Sequence, residues 1–118
     1  RPRKSVGAED TFQANIFDLA AARIEVATLA SKVWRYCEAR DVRGRTVTLK
    51  VKYADFQQIT RSRTLPRAVD GVEEIVEPAH ALLAGLFPVK KGIRLLGVTL
   101  SSLEGRDAAA EASQLALF

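Results

Sequence analysis

The chain has 118 residues, 47% apolar and 27% charged, which suits one folded domain with a modest core and leaves no room for two. Eighteen Lys and Arg against fourteen Asp and Glu give +4, while the single Cys37 and single His80 exclude a disulfide framework and a Cys/His zinc cluster. No apolar run is long enough to span a membrane, and no signal-peptide pattern is present.

Arg1-Pro2-Arg3-Lys4 opens without a methionine, and none follows, so a piece of a longer protein is expected. Ser5 to Phe12 reads as a strand. From Leu19 the apolar residues Ala22, Val26, Leu29, Val33 and Tyr36/Cys37 recur at helical steps, with Asp18 as the N-cap and Arg43-Gly44 as the end. Arg45 to Tyr53 alternates, placing Val47, Leu49 and Val51 on one side and Thr46, Thr48, Lys50 and Lys52 on the other. A two-residue turn at Ala54-Asp55 leads to a returning strand, Phe56 to Leu65, stopped by Pro66. Asp70-Gly71-Val72-Glu73 predicts a helix start, with Asp70 supplying the cap oxygen and an acid three residues on. Ile75, Ala79, Leu82, Leu83 and Leu86 continue that helix to Phe87, and Pro78 should kink it or delay its start. Ile93 to Leu103 alternates again, with Leu96, Val98 and Leu100 inward. From Glu104 the residues turn small and acidic, and Gln114-Leu115-Ala116-Leu117-Phe118 closes the chain.

The order β-α-β-β-α-β predicts the α+β class: a four-stranded antiparallel sheet with two helices on one face, followed by a flexible C-terminal tail. The other face is left to solvent or a partner. The expected division is linker end 1–4, domain 5–103, spacer 104–113 and peptide 114–118.

Positive charge belongs to the domain. Residues 1–103 hold 17 basic and 11 acidic side chains, and between Arg43 and Arg67 there are seven basic residues and one acid, Asp55. With the two-residue turn, Tyr53 and Phe56 pair inward. Gln57, Ile59, Arg61 and Arg63 then share the open face with Lys50 and Lys52. A longer turn would reverse that parity. Such a face, with hydroxyls from Thr46, Thr48, Ser62 and Thr64, suits a phosphate backbone; the ordinary alternative is a solvated strand pair. It shows no aromatics to stack unpaired bases, which favours duplex or backbone contact.

Enzyme motifs are missing. There is no dinucleotide or P-loop glycine pattern. His80 reads as a helix-face or core residue and Cys37 as a small core hydrophobe. Glu73, Glu74 and Glu77 suit the first turns of a helix and lack a further acid to form a metal site.

Three stretches carry a resemblance: Arg3-Lys4-Ser5-Val6-Gly7, the hairpin from Thr46 to Pro66, and Ile93-Arg94-Leu95-Leu96-Gly97-Val98. Together they resemble, in order and over nearly the whole chain, the little-finger domain of bacterial Y-family DNA polymerases of the DNA polymerase IV (DinB) group. The resemblance implies the same element order, with the third main strand at a sheet edge. It implies a domain that grips duplex primer-template DNA beside the polymerase's own catalytic core. Arg3, Lys4, Lys50, Lys52, Thr60, Arg61, Ser62, Arg63 and Arg94 would lie along the DNA. Some relatives carry a second basic residue where this chain has Leu95.

The resemblance places the catalytic acids and their magnesium elsewhere in the parent polymerase, so no cofactor and no catalytic residue is expected within this chain. A cytoplasmic translesion enzyme is implied. Gln114, Leu115, Leu117 and Phe118 resemble the peptide that binds the sliding clamp, the beta subunit. Its glutamine amide can donate and accept, and its large apolar side chains suit pockets. A free-standing interaction domain whose basic sheet binds an acidic protein is the alternative reading.

Overall fold

The computed structural model describes residues 5–105. Four strands, β1 (Ser5–Ile16), β3 (Thr46–Tyr53), β4 (Gln58–Thr64) and β5 (Ile93–Ser101), form one antiparallel sheet in the order β1-β5-β3-β4. Two helices, α1 (Leu19–Arg40) and α2 (Glu73–Ala84), cover one face. The expected α+β fold is present, and β4 lies at an edge. A second, two-stranded sheet pairs β2 (Val42–Arg43) with β6 (Glu104–Gly105), so the stretch expected to be spacer begins in paired backbone.

Helix α1 starts where its cap is. Asp18 is extended, and its carboxylate accepts a hydrogen bond from the Ala21 N–H at 3.1 Å. The helix ends before Arg43-Gly44, because Asp41 turns left-handed at φ 55° and frees the chain to enter β2. Helix α2 differs from its predicted start. Val72 is the cap and supplies no side-chain bond, while the Asp70 carboxylate is drawn 3.4 Å from Arg43 Nε. The reciprocal bond comes instead from Glu74, whose Oε1 accepts from the Asp70 N–H. Pro78 is buried inside the helix, which runs on to Ala84.

The core is the slab between sheet and helices. Ala22, Val26, Leu29, Ala30, Val33 and Cys37 of α1, with Ile75, Ala79 and Leu83 of α2, bury against the sheet's inner side chains. Those are Val6, Leu100 and Val47 in one rung, Val98 and Leu49 in the next, and Leu96 and Val51 beyond them. His80 ties the helices together, its Nε2 donating to the Arg23 carbonyl at 3.0 Å. Gly44 admits the chain past β5: a Cβ there would meet Leu100 Cγ at 2.6 Å and Ser101 O at 2.7 Å.

Candidate nucleic-acid interface

Strand pairing fixes what the uncovered face carries, since directly opposed residues of antiparallel strands share a face. Its rungs read Ser5, Ser101, Thr46, Thr64; then Gly7, Thr99, Thr48, Ser62; then Glu9, Gly97, Lys50, Thr60; then Thr11, Leu95, Lys52, Gln58. Most of these side chains are short, and seven of the first eight carry hydroxyls.

The hydroxyls are linked but not exhausted. Thr48 Oγ1 and Ser62 Oγ lie 2.8 Å apart, and Thr46 Oγ1 lies 3.0 Å from Thr64 Oγ1 and 2.8 Å from Ser102 Oγ. Two hydroxyls joined by one hydrogen bond, or three joined by two, leave one proton to donate outward. An incoming anion therefore finds donors beside Lys50 and Lys52.

Lys50 leans over the central strand. Its Nζ donates to Glu9 Oε1 at 2.9 Å, two strands away. Gly97 makes this reach possible: a Cβ there would stand 3.3 Å from Glu9 Cβ and 3.4 Å from Lys50 Cβ. Leu95, 7% exposed, belongs to the rung of Lys52, so an apolar side chain stands beside the lysine.

The hairpin corrects the assignment of Arg61 and Arg63. Tyr53 N–H donates to Gln57 O at 2.9 Å and Phe56 N–H to Tyr53 O at 2.8 Å, closing a three-residue turn, Ala54 to Phe56. Asp55 Oδ1 fixes it by accepting from the Gln57 N–H at 3.1 Å. The extra turn residue reverses every side chain of β4. Thr60 and Ser62 join Lys50 and Lys52 on the open face, while Ile59, Arg61 and Arg63 oppose Val51, Leu49 and Val47 on the helix side. Both arginines remain exposed at the edge, and Arg63 lines a groove with Pro66, Glu74 and Pro78. Gln57, which opposes Tyr53 across the turn, likewise leaves the lysine face.

Phe56 is the second correction. Expected inward, it is 61% exposed with φ 70°. Arg94 Cζ stands 4.7 Å from its ring centroid and Lys52 Nζ 6.0 Å. The β3–β5 register steps from Lys52↔Leu95 to Tyr53↔Ile93, so Arg94 occupies the irregularity at the hairpin end of the face. No glycine marked the turn; the only local sign was Asp55, suited to an Asx turn onto residue 57.

Much of the basic cluster is already neutralised. Arg43 pairs with Asp70, Arg45 with Glu104, Arg67 with Glu74 and Lys91 with Asp55. Lys91 holds the Asp55 carboxyl below its ordinary range, assisted by the Gln57 N–H. Among the described residues, Lys52, Arg61, Arg63 and Arg94 form no salt bridge. No group of three or more His, Cys, Asp or Glu gathers among the described residues to hold a metal. No described helix is long and apolar enough to cross a membrane. Arg3, Lys4, Gln114, Leu115, Leu117 and Phe118 lie outside the described residues.

Comparison with known proteins agrees with this architecture. Residues 3–117 match the impB/mucB/samB family C-terminal domain. The chain is 56% identical over 114 residues to DNA polymerase IV 2 of Agrobacterium fabrum, covering 97% of this chain and 32% of that protein. It is 60% identical over 103 residues to DNA polymerase IV 3 of Mesorhizobium japonicum, covering 87% and 28%. The chain thus spans about a third of the length of the curated relatives it matches. Among solved structures, the insertion ternary complex of Dbh DNA polymerase shares the fold at TM-score 0.76 and 14% identity, over 86% of this chain and 29% of that one. The little finger domain of PolIV, solved in complex with the beta-clamp processivity factor, does so at TM-score 0.68 and 22% identity, over 86% and 91%. The chain belongs to the impB/mucB/samB C-terminal domain family, the little-finger domain of Y-family DNA polymerases of the DNA polymerase IV group.

Proposed function

We propose that this domain is the duplex-holding and clamp-tethering part of a translesion DNA polymerase. The observation that carries the duplex reading is the open sheet face: short, hydroxyl-bearing rungs that end in Lys50, Lys52 and Arg94. A phosphate backbone can lie close to such a surface, accepting from hydroxyls and lysines without a base being read. The contact set is Lys50, Lys52, Thr60, Ser62 and Arg94, with Arg3 and Lys4 as the approach from the linker. Arg61 and Arg63 reach DNA only past the β4 edge. Nucleotidyl transfer, with its magnesium, belongs to the two-thirds of the relatives' length that this chain does not span. The C-terminal peptide docks on the sliding clamp through Gln114, Leu115, Leu117 and Phe118, with Leu117 and Phe118 as apolar anchors.

Two titrations test the reading. The 118-residue chain should bind duplex DNA with little sequence preference, and its log affinity should fall against log salt by about 0.9 per phosphate contacted. Lys52→Ala should weaken binding on every sequence and flatten that slope. Equal binding by the parent and a Lys50→Ala/Lys52→Ala variant would remove the face from the interface. Purified clamp should bind the intact chain and lose the chain lacking its last five residues, with duplex affinity unchanged. Equal clamp affinities would sink the tether.

A further inference from the structure

Phe56 occupies a place that its residue type does not suit. The last position of a three-residue hairpin turn, left-handed at φ 70°, is where glycine is the usual occupant. A bulky side chain is strained there, and such strain persists where surrounding contacts hold it. The core does not hold it, since the residue is 61% exposed and lies outside the core cluster. What the ring meets is charge: the Arg94 guanidinium at 4.7 Å and the Lys52 ammonium at 6.0 Å.

From this geometry we infer that Phe56 is a positioning residue for a two-cation seat, formed by Arg94 and Lys52, that takes a backbone phosphate of duplex DNA. The inference rests on the open-face reading above and names one of its subsites. A guanidinium stacked on a ring keeps its in-plane N–H groups free, so the ring fixes direction without consuming donors. A carboxylate partner does the reverse, as Glu9 does to Lys50. Arg94 and Lys52, which form no salt bridge among the described residues, thus both stand against one ring with their hydrogen-bonding capacity intact.

The test compares duplex affinity across a salt series, and thermal unfolding, for the parent chain, Phe56→Gly, Phe56→Tyr, Arg94→Ala, Lys52→Ala and the Phe56→Gly/Arg94→Ala double variant. Glycine relieves the left-handed strain, so Phe56→Gly should melt close to the parent. It should nevertheless lose about two- to five-fold in affinity, the weight of an exposed cation–π contact. Phe56→Tyr should restore affinity and salt slope, and the double variant should bind no more weakly than Arg94→Ala. Parent-like binding by Phe56→Gly, or additive losses in the double variant, would overturn the seat. If Arg94→Ala binds like the parent while Lys52→Ala does not, the seat falls and the open-face reading stands. If both bind like the parent, the seat and the reading fall together.

Discussion

The two faces of the sheet come from the same strands and have opposite chemistry. On the helix side, Leu96, Val98, Leu100, Val47, Leu49 and Val51 are buried against α1 and α2. On the open side, their chain neighbours Gly97, Thr99, Ser101, Thr48 and Lys50 are small, hydroxylated or charged. Alternation at period two thus separates a buried apolar face from an open polar one within single strands. β4 breaks the division: its helix-side positions carry Ile59, Arg61 and Arg63, and its residues are exposed apart from the partly buried Ile59. An edge strand beyond the helices' cover can be polar on both sides.

The two faces should differ most in what they contribute to stability. Leu96→Ala removes a fully buried side chain from the central strand and should cost about 2–5 kcal/mol in urea unfolding. Thr48→Ala, on the other face of the adjacent strand, should cost about 1 kcal/mol or less, the worth of one exposed hydroxyl bond. Comparable losses would mean that both faces carry the fold.

Charge variants act on the open face. Lys52→Ala should leave stability within about 0.5 kcal/mol, as surface substitutions usually do, while lowering duplex affinity and the salt slope. Glu9→Gln should act in the opposite direction. Glu9 holds Lys50 across Gly97, and on the proposed reading a backbone phosphate would have to displace it. Exposed ion pairs are worth about 0.2–1 kcal/mol, so releasing the lysine should tighten duplex binding by at most about five-fold. Weaker binding by Glu9→Gln would show that the carboxylate orients Lys50 rather than occupying it.

The sequence was most readable where a periodic apolar pattern met a covering layer. Leu96, Val98 and Leu100, the α1 stripe and the Asp18 cap all stand as their spacing predicts, because burial on one side fixes their direction. β4 gave no such signal. Its alternation is polar against polar, so parity depended on one turn residue, and a left-handed phenylalanine in place of glycine concealed that residue. The whole of β4 followed that residue: Thr60 and Ser62, inward under a two-residue turn, stand on the open face, whereas Arg61 and Arg63 are on the other side. Glu9 was hidden for another reason. Its partner Lys50 lies 41 residues along the chain and two strands across, a juxtaposition that only sheet order creates.

The smallest predicted effect lies at the hairpin tip, which belongs to neither face. Asp55 caps the turn by accepting from Gln57 and pairs with Lys91 from the segment before β5. Lys91, first, and the Gln57 N–H, second, lower its proton affinity in the folded state. The unfolded chain keeps the ordinary aspartate value, so it binds the proton more readily. The tip's contribution is therefore complete above the ordinary aspartate range and is lost as pH falls through the lower folded value. A carboxyl-carbon titration by NMR should give Asp55 a midpoint below that of an unstructured aspartate, and Lys91→Ala should raise it. The same substitution should flatten the acid limb of the melting curve without altering core packing, because both partners are exposed. An unchanged midpoint in Lys91→Ala would leave the Asx turn alone as the cause. The turn length that sets β4's parity would then be fixed by the bond between Asp55 and Gln57, without help from the far segment.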